Sequence, residues 1–283
     1  MAALSLDALR AWIGKREAHT GLVTHAPLAA LAATLDREDA GADGEVPPLH
    51  HWLYFLPTTP MSRLGEDGHP ARGGFLPPVP LPRRMWAASR LEFHRPLHVG
   101  ETIARSSEIT DVQAKDGKSG PLVFVKLRHE LAAGGVAAIT EEQEIVYREP
   151  ARPDAAAPVP KPAPAQAAWQ REIRPDPVLL FRYSALTFNS HRIHYDRPYA
   201  TGVEGYPALV VHGPLLATLL ADLVRRHRPD ARLLAFAFRA LRPVFDHAPF
   251  HLCGEPAPDG RHVRLWVCDA EGALCMEADA QLA

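Results

Sequence analysis

The sequence predicts an α+β protein made of two similar halves, each an antiparallel sheet wrapped around a helix. Three observations predict it. Residues 214–226 (PLLATLLADLVRR) place leucines at 215, 216, 219, 220 and 223, a broad apolar stripe at helical spacing. Runs of alternating apolar residues follow it at 233–241, 250–255, 262–269 and 274–281, and an earlier run over 85–147 alternates in the same way. Four short segments of the first half recur in order in the second. Ala32–Asp36 parallels Ala185–Asn189, and Arg95-Pro96-Leu97 parallels Arg242-Pro243-Val244. Val123–Leu127 parallels Val263–Val267, and Gly135–Glu141 parallels Gly272–Glu277.

The remaining elements follow in chain order. Residues 4–16 carry Leu6, Leu9, Trp12 and Ile13 at helical spacing, with Ser5 available as a cap. Residues 28–35 predict a short helix. In the strand region the inward positions are Leu91, Phe93, Ile103, Ile109, Val123, Val125, Leu127, Val136, Ala138, Ile145 and Tyr147. Residues 150–166 (PARPDAAAPVPKPAPAQ) alternate Pro with Ala and carry almost no large apolar side chain, which favours an extended surface linker. The predicted organisation is an N-terminal domain over 1–149, a linker over 150–168 and a C-terminal domain over 169–283.

Composition narrows the class. The chain has 283 residues, 47% hydrophobic and 23% charged, with a formal net charge of -2. No global field points to nucleic acid or to anionic lipid. The three cysteines, Cys253, Cys268 and Cys275, lack the spacing of a zinc knuckle or a disulfide framework. No apolar run reaches the roughly 18 residues needed to cross a bilayer. A soluble, cytoplasmic protein is expected, as a monomer or a homodimer.

The chemistry concentrates in residues 183–200 (YSALTFNSHRIHYDRPYA) and 205–214 (GYPALVVHGP). Ile193-His194, Asp196, Tyr199-Ala200 and His212-Gly213 resemble the signature of MaoC-like, (R)-specific enoyl-thioester hydratases. DGHP (67–70), FLPPVPLPRRMWA (75–87) and RPLHVGE (95–101) are similar to the subgroup that contains hydroxyacyl-thioester dehydratases type 2 and bacterial mesaconyl- and itaconyl-CoA hydratases. The resemblance implies a tandem (double) hotdog fold. It also implies reversible hydration of an α,β-unsaturated acyl thioester, on CoA or acyl carrier protein, with neither cofactor nor metal. A short C5-dicarboxyl-CoA is the favoured substrate. A 3-hydroxyacyl-thioester dehydratase of fatty-acid metabolism and a hotdog acyl-CoA thioesterase are the alternatives.

One position departs from the family pattern. The catalytic Asp expected five residues before the His is Asn189, and an amide can orient water or substrate but cannot carry a proton. His194 suits the base that activates water. The free amides at the start of the 214–226 helix suit the developing enolate, with Gly213 allowing close approach and His212 beside it. The acid that protonates the α-carbon stays open between His191, Asp196 and a water held by Asn189. His191, His194 and Asp196 also have the composition of a two-His-one-carboxylate metal site, but no metal is expected. Arg83 and Arg84 are candidate clamps for a phosphate or a substrate carboxylate, and Arg84 and Arg192 are the cations for a free carboxylate. Trp86 and Tyr199 are candidate pocket walls. Asp36, at the repeat position of Asn189, reads as a relic of a duplicated site.

Overall fold

The computed structural model describes residues 5–41, 44–117, 120–150 and 159–283. The first half carries α1 (Leu6–Arg10), β1 (Arg16–Leu22), α2 (His25–Thr34), β2 (Arg83–Phe93), β3 (Thr102–Gly117), β4 (Gly120–Ala133) and β5 (Val136–Arg148). The second carries β6 (Trp169–Ile173), α3 (Pro177–Thr187), α4 (Gly213–His227), β7 (Leu233–Ala240), β8 (Phe250–Pro256), β9 (His262–Asp269) and β10 (Leu274–Leu282).

All ten strands form a single antiparallel sheet in the order β1-β3-β4-β5-β2-β7-β10-β9-β8-β6. The order is a palindrome of the two halves: edge strand, third, fourth, fifth, second, then the reverse. The seam is β2 against β7, where Ser89 faces Phe238 and Leu91 faces Phe236. This is the predicted double hotdog, with its two sheets joined edge to edge.

The repeated segments occupy matching places. The amides of Arg95 and Arg242 donate to Ala138 and Cys275, and Val46 and Val211 donate to Leu97 and Val244. Past that last pair the halves diverge. After Val211 the chain enters α4, whereas after Val46 it makes only a 3-10 turn at His50–Leu53. Asp36 takes a left-handed conformation at φ 53°, as does Phe188, the neighbour of its repeat partner, at φ 51°.

The stripe of leucines explains α4. Leu215, Leu216, Leu219, Leu220 and Leu223 are all buried, and the helix lies on β6–β10 and β2. No helix among the described residues is long and apolar enough to cross a membrane.

Some elements differ from expectation. The helix expected over 4–16 is five residues long: Ser5 caps it, the chain turns at Gly14 (φ 85°), and Arg16 already begins β1. Residues 151–158 of the Pro-Ala segment lie outside the described residues. Its far end is held against the sheet, with the Ala163 amide on the Gly272 carbonyl and the Leu274 amide on that of Lys161.

Candidate active site

The site is assembled at the start of α4. His212 precedes the helix in extended conformation (φ -61°, ψ 131°), and Gly213 and Pro214 open it. The first amides of a helix have no intrahelical acceptor, and the helix dipole adds partial positive charge there. A Cβ at Gly213 would meet only the Trp86 carbonyl, at 3.9 Å, so this helix start is not packed tightly against β2. Trp86 sits where β2 shifts register between Trp86 and Ala88, and such bulges often adjoin active sites. The Trp86 indole packs on Trp52 and Phe238 and donates to Ser89 Oγ.

His194 lies beside that helix start on a 3-10 turn, Arg192–His194. Its Nδ1 donates to the Val210 carbonyl at 2.7 Å, which leaves Nε2 as a lone-pair acceptor. Burial pushes its pKa down to about 4, against the opposing pull of the Val210 carbonyl. His194 is therefore neutral near pH 7 and competent to accept a proton. Its ring stacks on His212 at 3.7 Å. His212, expected to meet the thioester, is fully buried behind His194, and its Nε2 pairs with Ser184 Oγ at 2.8 Å.

Asn189 closes the turn after α3. Its amide N–H caps the helix on the Ser184 carbonyl, and its Oδ1 accepts from the His191 amide at 3.0 Å. The side chain thus shapes the loop that presents His191 and His194, whose rings meet edge to face at 5.4 Å.

Asp67 and His69 carry no role predicted from the sequence, yet the structure brings them here from the first half. The Arg192 amide donates to the Asp67 carbonyl and Ser190 Oγ to that of Gly68. Gly68 (φ 85°) permits the approach, because a Cβ there would fall 1.9 Å from the Ser190 carbonyl oxygen. Asp67 accepts from the His69 amide at 3.0 Å and from His69 Nδ1 at 2.9 Å. The His69 ring then lies 4.0 Å from that of His191. Burial works to raise the Asp67 carboxyl, but its bonds to His69 and the charge of Arg84 hold it down to about 2. The signal in the sequence was the Asp-Gly-His-Pro run itself.

A family model for hydroxyacyl-thioester dehydratase type 2 matches residues 49–246, which includes every residue of this cluster. The chain belongs to this family. A mesaconyl-C(4)-CoA hydratase of Chloroflexus aurantiacus is 48% identical over 281 residues, 96% of this chain and 97% of that protein. Among solved structures, a MaoC-like dehydratase of Phytophthora capsici aligns with a TM-score of 0.70 at 15% identity, covering 99% of each chain. A Mycobacterium tuberculosis protein described as a double hotdog aligns with a TM-score of 0.58 at 16% identity, covering 96% of each chain. This member of the type 2 dehydratase family is thus a hydro-lyase of acyl thioesters on a double hotdog.

The arginines expected to meet substrate are placed differently from one another in this dehydratase. Arg83 pairs with Glu204 (Nε to Oε2, 2.8 Å) at the end of the turn Tyr199–Val203. Arg192 pairs with Asp196 at 2.7 Å and lies over the Tyr199 ring at 4.0 Å. Asp196 also caps the Tyr199 amide, so it serves the loop's geometry. Tyr199 is buried as a wall of this loop. Arg84 alone of the three makes no salt bridge among the described residues. It faces Tyr147 across β2 and β5, and its charge acts on Asp67, His69 and His191.

The buried histidines, His50 as well as those of the site, also make the protein acid-sensitive. Burial lowers His50 to about 3 and His194 to about 4, and lowers His191 and His212 well below their usual value. The unfolded chain protonates these groups near pH 6.5, the native state only at lower pH. Stability is therefore complete above about pH 6.5 and is lost as pH falls, by up to about 1.4 kcal/mol per pH unit for each histidine. Urea melts at pH 7.5 and pH 5 are expected to show a clearly lower midpoint at pH 5; equal midpoints would contradict neutral burial.

Proposed function

We propose that this enzyme adds water reversibly to a short, branched C5-dicarboxyl-CoA thioester of the mesaconyl- or itaconyl-CoA type. Arg84 is the observation that carries the substrate class. A cation beside the histidine cluster, with no salt-bridge partner among the described residues, suits a carboxylate on the acyl group. The mesaconyl-C(4)-CoA hydratase relative supports the same choice, and it favours CoA over a carrier protein.

The residues divide the chemistry as follows. His194 Nε2 takes a proton from water as the oxygen attacks the β-carbon. The C=C electrons move to the thioester oxygen, and the Gly213 N–H with the α4 dipole stabilises the enolate. Asn189 and His212 hold the loop and ring of His191 and His194 in place. The α-carbon then takes a proton, and the thioester carbonyl re-forms. We propose further that residues 1–149 and 169–283 act as two hotdog domains joined by a linker over 150–168. The first domain has a 3-10 turn where the second has α4, and so has no helix start to hold an oxyanion.

Substrate competition tests the reading. The protein is expected to hydrate a C5-dicarboxyl-CoA with kcat/KM at least about tenfold above crotonyl-CoA. Arg84→Met is expected to raise KM for the diacid by about tenfold or more, the scale of one charged hydrogen bond, with little effect on crotonyl-CoA. A preference for crotonyl-CoA or longer chains would instead mark a 3-hydroxyacyl-thioester dehydratase of fatty-acid metabolism.

A further inference from the structure

An enoyl-thioester hydratase needs a proton donor for the α-carbon, and in this chain Asn189 stands where a carboxylate would be. We propose that the first half supplies the donor: His69, held by Asp67, receives the water proton from His194 by way of His191 and delivers it to the α-carbon. The inference rests on the hydratase reading above.

Geometry carries it. Three imidazoles form a file, with ring centres of His194 and His191 5.4 Å apart and those of His191 and His69 4.0 Å apart. The ligating atoms of Asp67, His69 and His191 all lie within 4.8 Å of one another, a gap that one bridging water spans. Asp67 bonds His69 Nδ1 at 2.9 Å, which leaves His69 Nε2 as the nitrogen free to carry the proton. A carboxylate beside an imidazole stabilises the imidazolium that forms, and His69 is the only histidine of the three with such a partner.

Atoms and charge balance with one proton. Water loses it to His194 Nε2 as the O–Cβ bond forms and the C=C bond becomes an enolate. It passes over His191 to His69 Nε2, where Asp67 offsets the charge. His69 then gives it to the α-carbon as the enolate collapses to the thioester, and all three rings end neutral. Dehydration runs the same steps backwards. Burial first, and then the charge of Arg84, lower the basicity of His69 against the pull of Asp67, which aids release of the proton.

His69 is thus a catalytic residue, and Asp67 a positioning residue acting through it. With a C5-dicarboxyl-CoA as substrate, His69→Gln is expected to lower kcat by about 10²-fold or more, and Asp67→Asn by somewhat less, with KM within about threefold of wild type. Free imidazole is expected to raise the rate of His69→Ala at least about tenfold, because it can replace a lost proton carrier but cannot restore loop packing. Imidazole decides the matter should His69→Gln melt early. Full kcat in His69→Gln, a loss confined to KM, or no imidazole response would overturn the relay. Loss of wild-type activity to a chelator, restored by zinc, would also overturn it, since Asp67, His69 and His191 would then be ligands. Wild-type protein in the same assay separates the two failures. If it hydrates no thioester, the hydratase reading fails; if it does and His69→Gln matches it, only the relay fails.

Discussion

His194→Ala is expected to lower kcat by about 10²- to 10⁴-fold, the usual range for loss of a positioned base. The native ring is fixed twice, by the Nδ1 bond to the Val210 carbonyl and by stacking on His212. Both contacts fix the ring and leave Nε2 as its lone-pair nitrogen, so the loss should fall on kcat more than on KM. With the pKa held to about 4, the base limb of the wild-type profile should stay flat from about pH 5 upward. Asn189→Asp is the companion variant: it places a carboxylate beside the His191 amide, and a rise in rate would show that this position can manage protons. Steady-state kinetics on the enoyl thioester check both, and unchanged turnover in His194→Ala would remove His194 from the mechanism.

Asp222→Ala is expected to cost about 3–5 kcal/mol of stability, the scale for breaking a buried ion pair from one side. Asp222 lies on α4 with its side chain almost wholly buried. It bonds Arg37 from the first half at 2.9 Å, Arg171 from β6 at 3.1 Å and Arg226 at 2.6 Å. Arg37 extends the network to Asp39, and Arg226 donates to the Leu35 and Asp36 carbonyls. Removing one carboxylate leaves several guanidinium groups crowded together without their shared anion, and it loosens the tie between α4 and the end of α2. Urea unfolding at pH 7.5 measures the loss; a change under about 1 kcal/mol would place this cluster among ordinary surface pairs.

The legible parts of the fold were those with a one-sided apolar pattern. α4 and β7 to β10 fall within two residues of expectation because each buries a single stripe or face. β1 and β6 were not foreseen. They are the two edges of the sheet, and the exposed pattern of REAHTGL shows no alternation to read. α3 was missed because PVLLFRYSALT is apolar on most sides, with Val178 and Phe181 left exposed. At the site, His194 and Gly213 were legible because a motif and a helix start coincide. The commitments of Arg83 to Glu204 and of Arg192 to Asp196 were not, since rotamer and partner choice leave no trace in spacing. Asp67 and His69 were hidden for a different reason. They join the site only because Gly68 lets one loop dock on another more than a hundred residues away, which no local pattern encodes.

The most direct measurement is mass spectrometry of the product formed from a C5-dicarboxyl enoyl-CoA in ¹⁸O-labelled water. A hydratase yields an intact CoA thioester heavier by one labelled water, with no free thiol released. Recovery of free CoA with label in a carboxylic acid would show thioester hydrolysis instead. Unchanged substrate would show a binder without turnover. Either result would contradict the hydratase.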